Sequence, residues 1–577
     1  MSTDGDNDRR QTKVMDPLLE ALDKLGRGSN FLWTIFIFTL TPMVFNGMHS
    51  MSYIFIADVP KHWCAIPSLT GAIWTDEEIR NISSSSPCTM YNYNYENFAQ
   101  IGFEKALEYK ISNPLPESIF CDVRDFANNN DGTSLVQDWD LVCDKSAARS
   151  STHMALSLGK LLGSAFFGIF ADKYGRKICC VIGTIMLITS GPAGAIVPWY
   201  WGFMISRLIN GASHAAILYS AFTTQVANEK HRQWMGIAYN IGYALGMVIV
   251  SGVAYLLHEW RHIQLAISLP ALLLLIQLMP ESPRWLIAHN RRDEAKSLIN
   301  KASKASPDIT MTTSIASNIE EKEEEETKQE SKNIKERLHE DIKGFWVVIS
   351  NSELRKRLLI TNFTWMTASL TYYALALNVN NFSTNRYIYV SVMGLTEIPA
   401  YLIPTPILMV MGRRTGSGSL YIIAALCLLS ILAIPTTDSD TIMIVSLIGR
   451  FSASAAYGIA ILYSSELFPT VCRNSAVGTN SAMSHVGSVA APYVADLLGA
   501  AVWWGPTTLC GGLALIAGLL CLVLPETRGR PLANTVDEEI TEERDNVSFY
   551  NGYKCVKDVV LCVRSGRKSQ LTSAIIS

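Results

Sequence analysis

Lys160, Glu397 and His485 are the main ionisable candidates inside otherwise apolar stretches of the chain. A charge at membrane depth costs free energy unless it is paired or wetted, so each is a candidate for holding a charged ligand. Glu397 offers a carboxylate to a cation, with Lys160 and the backbone near Pro399 as competing partners. His485 belongs to the residue type whose ordinary titration, near pH ~6.5, falls within the physiological range. Aromatic rings recur in the same kind of stretch: Phe222, Tyr239, Tyr243, Trp365, Tyr372, Tyr373 and Tyr457. An ammonium over a ring face gains about 0.5–2 kcal/mol, so the set predicts a cation-holding wall, with Trp365 and Tyr372 on one helix face. Arg207 and Arg450 are expected to pair structurally with Glu229 and Glu466.

Those residues need helices to carry them. The stretch Leu161 to Lys177, LLGSAFFGIFADKYGRK, runs through Gly163, Ser164 and Gly168 into a short turn bearing Asp172, Gly175, Arg176 and Lys177; a second apolar run starts at Ile178. So short a turn makes the two segments antiparallel neighbours, and small residues let helix backbones approach closely in lipid. Twelve apolar windows of spanning length occur, at about 31–55, 152–171, 178–198, 200–226, 235–257, 262–279, 358–378, 387–411, 419–435, 441–464, 477–499 and 502–524. The fold class expected is an all-α membrane protein, with both termini on one side. Short loops on the Lys173 side carry Lys173, Arg176, Lys177, Lys230, Arg232, Arg413, Arg414 and Arg473, against Arg261 and Arg386 on the other. That asymmetry predicts cytoplasmic termini.

The chain has 577 residues, 49% hydrophobic and 17% charged, and a mean hydropathy of +0.18, too apolar for a string of soluble domains. A net charge of -3 gives no basis for a nucleic-acid partner. The opening residues lack an apolar core with a cleavage site, so no cleaved signal peptide is expected. Residues 57–151 form a long loop, extracellular by the charge argument, with Cys64, Cys88, Cys121 and Cys143 and a glycosylation acceptor at Asn81. Outside the cell these cysteines are expected to form two disulfides, with three pairings open. The other cysteines lack a spaced Cys/His pattern, so no metal site is expected. The run IEEKEEEETKQESK lies in a second, cytoplasmic loop and reads as a solvated helix or tether. No Ser/His/Asp constellation or phosphate-cradling glycine loop stands out, so neither an enzyme nor a cofactor is expected.

The chain repeats itself. Pro280-Glu281-Ser282 answers Pro525-Glu526-Thr527 (525 - 280 = 245), Arg207 answers Arg450 (450 - 207 = 243), and Gly175-Arg176-Lys177 answers Gly412-Arg413-Arg414 (412 - 175 = 237). Glu229 and Arg232 likewise answer Glu466 and Arg473. Two six-span halves related by a parallel repeat follow, with substrate between them. The segments are a cytoplasmic tail (1–30), the first half (31–279), a cytoplasmic loop (280–357), the second half (358–524) and a cytoplasmic tail (525–577).

The turn at Asp172, Gly175, Arg176 and Lys177 resembles a signature of the major facilitator superfamily that latches neighbouring helices on the cytoplasmic face. Asn46-Gly47-Met48, Trp139 to Asp144, Pro280 to Trp285, Glu397 to Ala400, and Glu466 to Thr470 with Arg473-Asn474 resemble the organic cation, organic anion and carnitine transporter family. The resemblance implies a plasma-membrane transporter of small organic cations or carnitine-like zwitterions working by alternating access, with an organic anion exchanger as the alternative and a coupling ion left open. It implies a substrate site at Lys160, Phe222, Tyr243, Trp365, Tyr372, Tyr373, Tyr457, Glu397 and His485. The latch would comprise Asp172, Gly175, Arg176, Lys177, Arg207, Glu229, Arg450 and Glu466. His485 falls where the cation branch carries Asp and the anion and carnitine branches carry Arg, and Ala368 where the cation branch carries an acid; the surroundings of Arg473 and Gly487 look most like the carnitine branch.

Overall fold

The computed structural model describes residues 29–127, 132–220, 238–275, 280–304, 343–381 and 385–529, with Leu18, Leu22, Lys24, Leu25 and Met235 as isolated positions. Phe222 and Glu229 lie outside the described residues. Twelve helices carry the apolar windows. In the first half these are α1 (Asn30–Met51), α2 (Ser146–Tyr174), α3 (Arg176–Ile196), α4 (Tyr200–Ser220), α5 (Asn240–Leu256) and α6 (Trp260–Ser268), which tightens into a 3-10 turn at Leu269–Leu275. In the second they are α7 (Ser352–Leu377), α8 (Arg386–Leu402, resumed at Pro404–Met411), α9 (Arg413–Ser430), α10 (Ser439–Glu466), α11 (Thr470–Tyr493) and α12 (Gly505–Cys521).

Several helices outrun their apolar windows. Helix α7 starts at Ser352, where the Asn351 side chain accepts from the Glu353 and Leu354 N–H groups. A polar first turn capped in this way is helical without being apolar, so hydropathy places the boundary too late.

Within the first half, α2 and α4 pack backbone to backbone. A Cβ at Gly159 would strike the Leu208 carbonyl, and one at Gly211 the Leu156 carbonyl, so neither position has room for a side chain. Gly163 sits against Ala212 of α4 in the same way, whereas Gly168 meets nothing within 4 Å and contributes no close approach. Between the halves, α2 neighbours α11 and α5 neighbours α8.

The largest buried apolar cluster draws on both halves and lies toward the cysteine loop, with Met51, Ile54, Trp260 and Ile267 from one half and Leu375, Tyr389 and Met393 from the other. Clusters nearer the charged turns each draw on a single half: Phe167, Ala171, Cys179 and Ala216 in the first, Leu358, Tyr463, Phe468 and Cys472 in the second. Among the described residues the halves therefore share a core at the loop end, while the clusters nearer the charged turns stay within one half.

The cysteine loop is a small domain of short helices and five strands. β1 (His62–Cys64) pairs antiparallel with β5 (Arg124–Phe126), and β2 (Ser84–Ser86), β3 (Thr89–Tyr91) and β4 (Ser118–Phe120) form a second sheet. Its cysteines pair Cys64 with Cys121 and Cys88 with Cys143. The Asp76–Ser83 helix opens on a capping box in which the Thr75 N–H donates to Glu78 at 2.8 Å, a bond that holds the Glu78 carboxyl below the usual range. Asn81 is exposed on that helix.

The Trp139 to Asp144 motif docks this domain on the bundle. Buried Arg124 bonds Asp140 at 2.7 Å and Asp144 at 2.9 Å. Trp139 packs on Phe203 and Trp260, and Asp138 accepts from Arg261 at 2.9 Å. Non-reducing peptide mapping should recover Cys64 linked to Cys121 and Cys88 linked to Cys143; a Cys64–Cys88 linkage would refute this pairing.

Candidate substrate cavity and charged turns

A cavity of about 180 Å³ lies between the halves. Its wall includes Tyr243 of α5, Tyr372 and Tyr373 of α7, Glu397 and Tyr401 of α8, Tyr457 of α10 and His485 of α11. Serines from α7, α10 and α11 (Ser369, Ser454, Ser484 and Ser488) and Asn240 complete the polar lining. Of the substrate residues expected from sequence, the structure brings Tyr243, Tyr372, Tyr373, Tyr457, Glu397 and His485 to one wall.

Two others stand apart. Trp365 is buried behind Tyr457, edge-on at 5.2 Å, with its Nε1 donating to Ser464 Oγ at 2.9 Å. Its indole thus faces α10, so it does not share the Tyr372 wall. Lys160 donates to Ser50 Oγ of α1 at 2.7 Å and is not part of the cavity lining. Sequence reading missed Tyr401 and the serines; Tyr401 was in view as the residue four after Glu397, one helical turn along the same face.

Glu397 pairs with neither Lys160 nor backbone. Its carboxylate meets the Arg450 guanidinium at 2.9 Å, with both side chains buried. The contact is electrostatic more than directional, since neither Glu397 oxygen has a well-aligned hydrogen bond among the described residues. Arg450 also lies 4.1 Å from the centre of the Tyr372 ring, so one face of that tyrosine is already occupied by a cation.

This corrects the latch expectation for Arg450. Arg450 and Glu466 are sixteen positions apart on α10, roughly 24 Å at 1.5 Å per residue, too far to touch. Arg207 lies toward the loop end of α4, where it donates to the His49 carbonyl at 3.1 Å and Ser52 Oγ at 3.2 Å. Its expected partner Glu229 lies outside the described residues.

The charged turns use other partners. At the first, Gly175 has φ 103°, a backbone that favours glycine, and Glu281 accepts from the Arg176 N–H at 2.8 Å and the Lys177 N–H at 3.2 Å. At the second, Gly412 has φ 80°, and Glu526 accepts from the Arg413 and Arg414 N–H groups at 2.9 and 3.1 Å. Each carboxylate therefore caps the N-terminus of α3 or α9, where orphan N–H groups and the helix dipole favour an anion. The repeat of Pro-Glu-Ser and Pro-Glu-Thr acquires its physical meaning here. Asp172 contributes a longer contact, 3.4 Å to Arg176, and Glu466 bonds Arg413 at 3.0 Å through two nitrogens.

Polar contacts that join the halves gather at the loop end. Asp496, in a π turn after α11, accepts from Arg149, Tyr53 and Ser150 of the first half. Arg386 pairs with Asp58 at 2.6 Å, and Tyr387 stacks on Phe55. The acidic groups of the charged turns, by contrast, bond within their own halves. Among the described residues, the polar contacts that join the halves thus lie on the loop side of the cavity.

Residues 89–538 match the sugar (and other) transporter family. The chain belongs to that family. Among relatives, an organic cation transporter protein of Drosophila melanogaster is 29% identical over 90% of this chain and 94% of its own length. Human organic cation/carnitine transporter 2 is 27% identical over 89% and 92%, and human solute carrier family 22 member 2 is 30% identical over 72% and 73%. The xylose transporter of E. coli in an inward-open conformation shares the fold, with a TM-score of 0.55 at 15% identity over 87% of this chain and 98% of that one. The protein is thus a multi-pass membrane transporter of the major facilitator fold, and not an enzyme; the resemblance to the organic cation, anion and carnitine family holds.

Because Glu281 caps two N–H groups and Asp172 makes one long contact, Glu281→Gln should lower uptake per surface molecule at least about threefold, a loss of order 1 kcal/mol. Asp172→Ala should lower it less. Surface biotinylation with initial-rate uptake measures both; a larger loss in Asp172→Ala would reverse the assignment.

Proposed function

We propose that the protein moves small organic cations or carnitine-like zwitterions across the plasma membrane by alternating access through the cavity between the halves. The observation that carries this reading is the wall itself: five cavity tyrosines around one carboxylate, Glu397, held against Arg450. An ammonium group fits between the ring faces and Glu397. A substrate that also carries a carboxylate has Arg450 as partner, exchanging with Glu397. The printed names of the relatives, organic cation transporter and organic cation/carnitine transporter, support the same substrate class. An organic anion would have to compete with Glu397 for the one arginine, which disfavours exchange of anions.

With the Gly175 and Gly412 turns on the cytoplasmic side, as the loop charges predict, the loop-end contacts of Asp496 and Arg386 close the outer side. The state described is then inward-facing. Asn81 on the outer domain is the glycosylation acceptor in this reading.

Cells expressing the protein should take up labelled carnitine and a quaternary ammonium dye above background, and an aromatic carboxylate not at all. Glu397→Gln should lower uptake of the dye about tenfold or more, matching a charge-assisted contact of about 1.5–3 kcal/mol. Equal dye uptake at equal surface density would remove Glu397 from the site.

His485 lines the same cavity as Glu397 and the tyrosines. A carboxylate in its place adds a second negative charge to the lining, so His485→Asp should raise uptake of the dye relative to carnitine. An unchanged dye-to-carnitine ratio would assign the ring to packing alone.

A further inference from the structure

The repeat that places Arg450 opposite Glu397 in the second half places Arg207 in the first, but without a carboxylate. The helices correspond as α2 with α8 and α4 with α10, and the position answering Glu397 at nearly the same offset as the arginines is His153 (397 - 153 = 244; 450 - 207 = 243). Arg207 is 1% exposed, and its surroundings are nitrogen-rich. His49 of α1, His153 of α2, and Asn210 and His214 of α4 are all buried within the same half. His49 and His214 rings lie 5.7 Å apart, and His153 packs between Tyr53 and Tyr373 at 5.4 and 5.8 Å. Arg207 and Lys160 both act electrostatically on His49 and His153.

Beyond the two Arg207 bonds to the His49 carbonyl and Ser52, several polar atoms of this cluster are unpartnered. Both ring nitrogens of His49 and of His153, His214 Nε2, Arg207 Nε and both ends of the Asn210 amide lack a well-formed hydrogen bond among the described residues. Buried polar groups in native proteins are otherwise nearly always satisfied, and a buried charge without a counter-charge is strongly disfavoured. The titratable and charged groups facing the cluster are Tyr53 of α1, Lys160 of α2 and Tyr373 of α7; among the described residues no carboxylate joins them. At the edge of the cluster, beside His214 and Asn46, a cavity of about 10 Å³ opens, on the scale of one water-sized particle; Arg207, His49 and His153 are not in its lining.

We propose that this cluster is a binding site for a small inorganic anion of the chloride class, which supplies to Arg207 the negative charge that Glu397 supplies to Arg450. The anion is held in the first half, one ring behind Tyr373 of the cavity wall. Its occupancy therefore bears on substrate through α2 and Tyr373, not by direct contact. The proposal's uptake arm rests on the transport reading; its binding arm stands without it.

The test uses purified full-length protein in nanodiscs, melted in sodium chloride and in sodium gluconate at equal ionic strength, with chloride as the probe. A ligand that binds only the folded state stabilises it, so the melting temperature should be lower in gluconate by about 3 °C. His153→Glu builds in the missing carboxylate and should abolish the difference between the salts, whereas the uncharged His153→Gln should keep it. Arg207→Gln, which removes the charge to be balanced, should abolish it as well. In cells, dye uptake should fall about twofold in gluconate for the unaltered protein and not for His153→Glu. Equal melting in both salts for the unaltered protein overturns the proposal. So does a chloride response that His153→Glu and Arg207→Gln both retain, or stabilisation by carnitine with none by chloride, which would assign the cluster to the substrate's carboxylate.

Discussion

The Arg450–Glu397 pair is the constraint on which the cavity depends. Two charges have been brought out of water into the interior of a membrane bundle, and removing one partner of such a pair costs about 3–5 kcal/mol because the other is left buried and uncompensated. The pair therefore fixes α8 against α10. It also fixes the Tyr372 ring, whose face lies 4.1 Å from the guanidinium centre. A ligand ion entering the cavity meets a wall whose electrostatics are already set, and it can only exchange for a charge that is there. That limits the substrates more sharply than the cavity's volume does.

The same need for compensation explains the two ends of the bundle. At the charged turns the first N–H groups of α3 and α9 have no intrahelical partners, and Glu281 and Glu526 satisfy them from the far end of each half. Each half is thereby clamped to itself. At the loop end Asp496 is satisfied only by reaching across to Arg149, Tyr53 and Ser150. Bonds within a half survive a rocking motion, while bonds between halves must break, so the chemistry at the two ends divides rigid contacts from switching ones.

Much of this was legible in the sequence, for physical reasons that can be named. Spanning length and hydropathy reveal helices because lipid demands long apolar runs, and the recurrence of Gly175-Arg176-Lys177 at Gly412-Arg413-Arg414 exposed the two halves. The aromatic set was readable as residue types, and Tyr243, Tyr372, Tyr373 and Tyr457 do meet. Partners were not readable. Arg450 was matched with Glu466 because both recur near one period, yet periodicity along the chain says nothing about which side of α10 an arginine faces or which helix lies opposite. Trp365 was placed with Tyr372 by a seven-residue spacing that ignored the pull of Ser464 on its indole N–H. Helix ends were misplaced wherever a polar cap extends the helix beyond the apolar window, as at Asn351.

The two halves are alike in backbone and unlike in charge, and that difference is where a transporter built from a repeat can acquire direction. In the second half the buried arginine is neutralised by Glu397, a side chain of the same half, so its counter-charge does not depend on what the solution contains. In the first half the equivalent arginine rests on a carbonyl and a hydroxyl, with histidines nearby whose ring nitrogens are unpartnered among the described residues. Tyr373 separates that cluster from the cavity, and His153 touches it from the other side at 5.8 Å. A change in the charge behind the ring alters the field in front of it. The half without an internal counter-charge is thus the one able to respond to its surroundings, while the half with the ion pair holds the substrate wall in place.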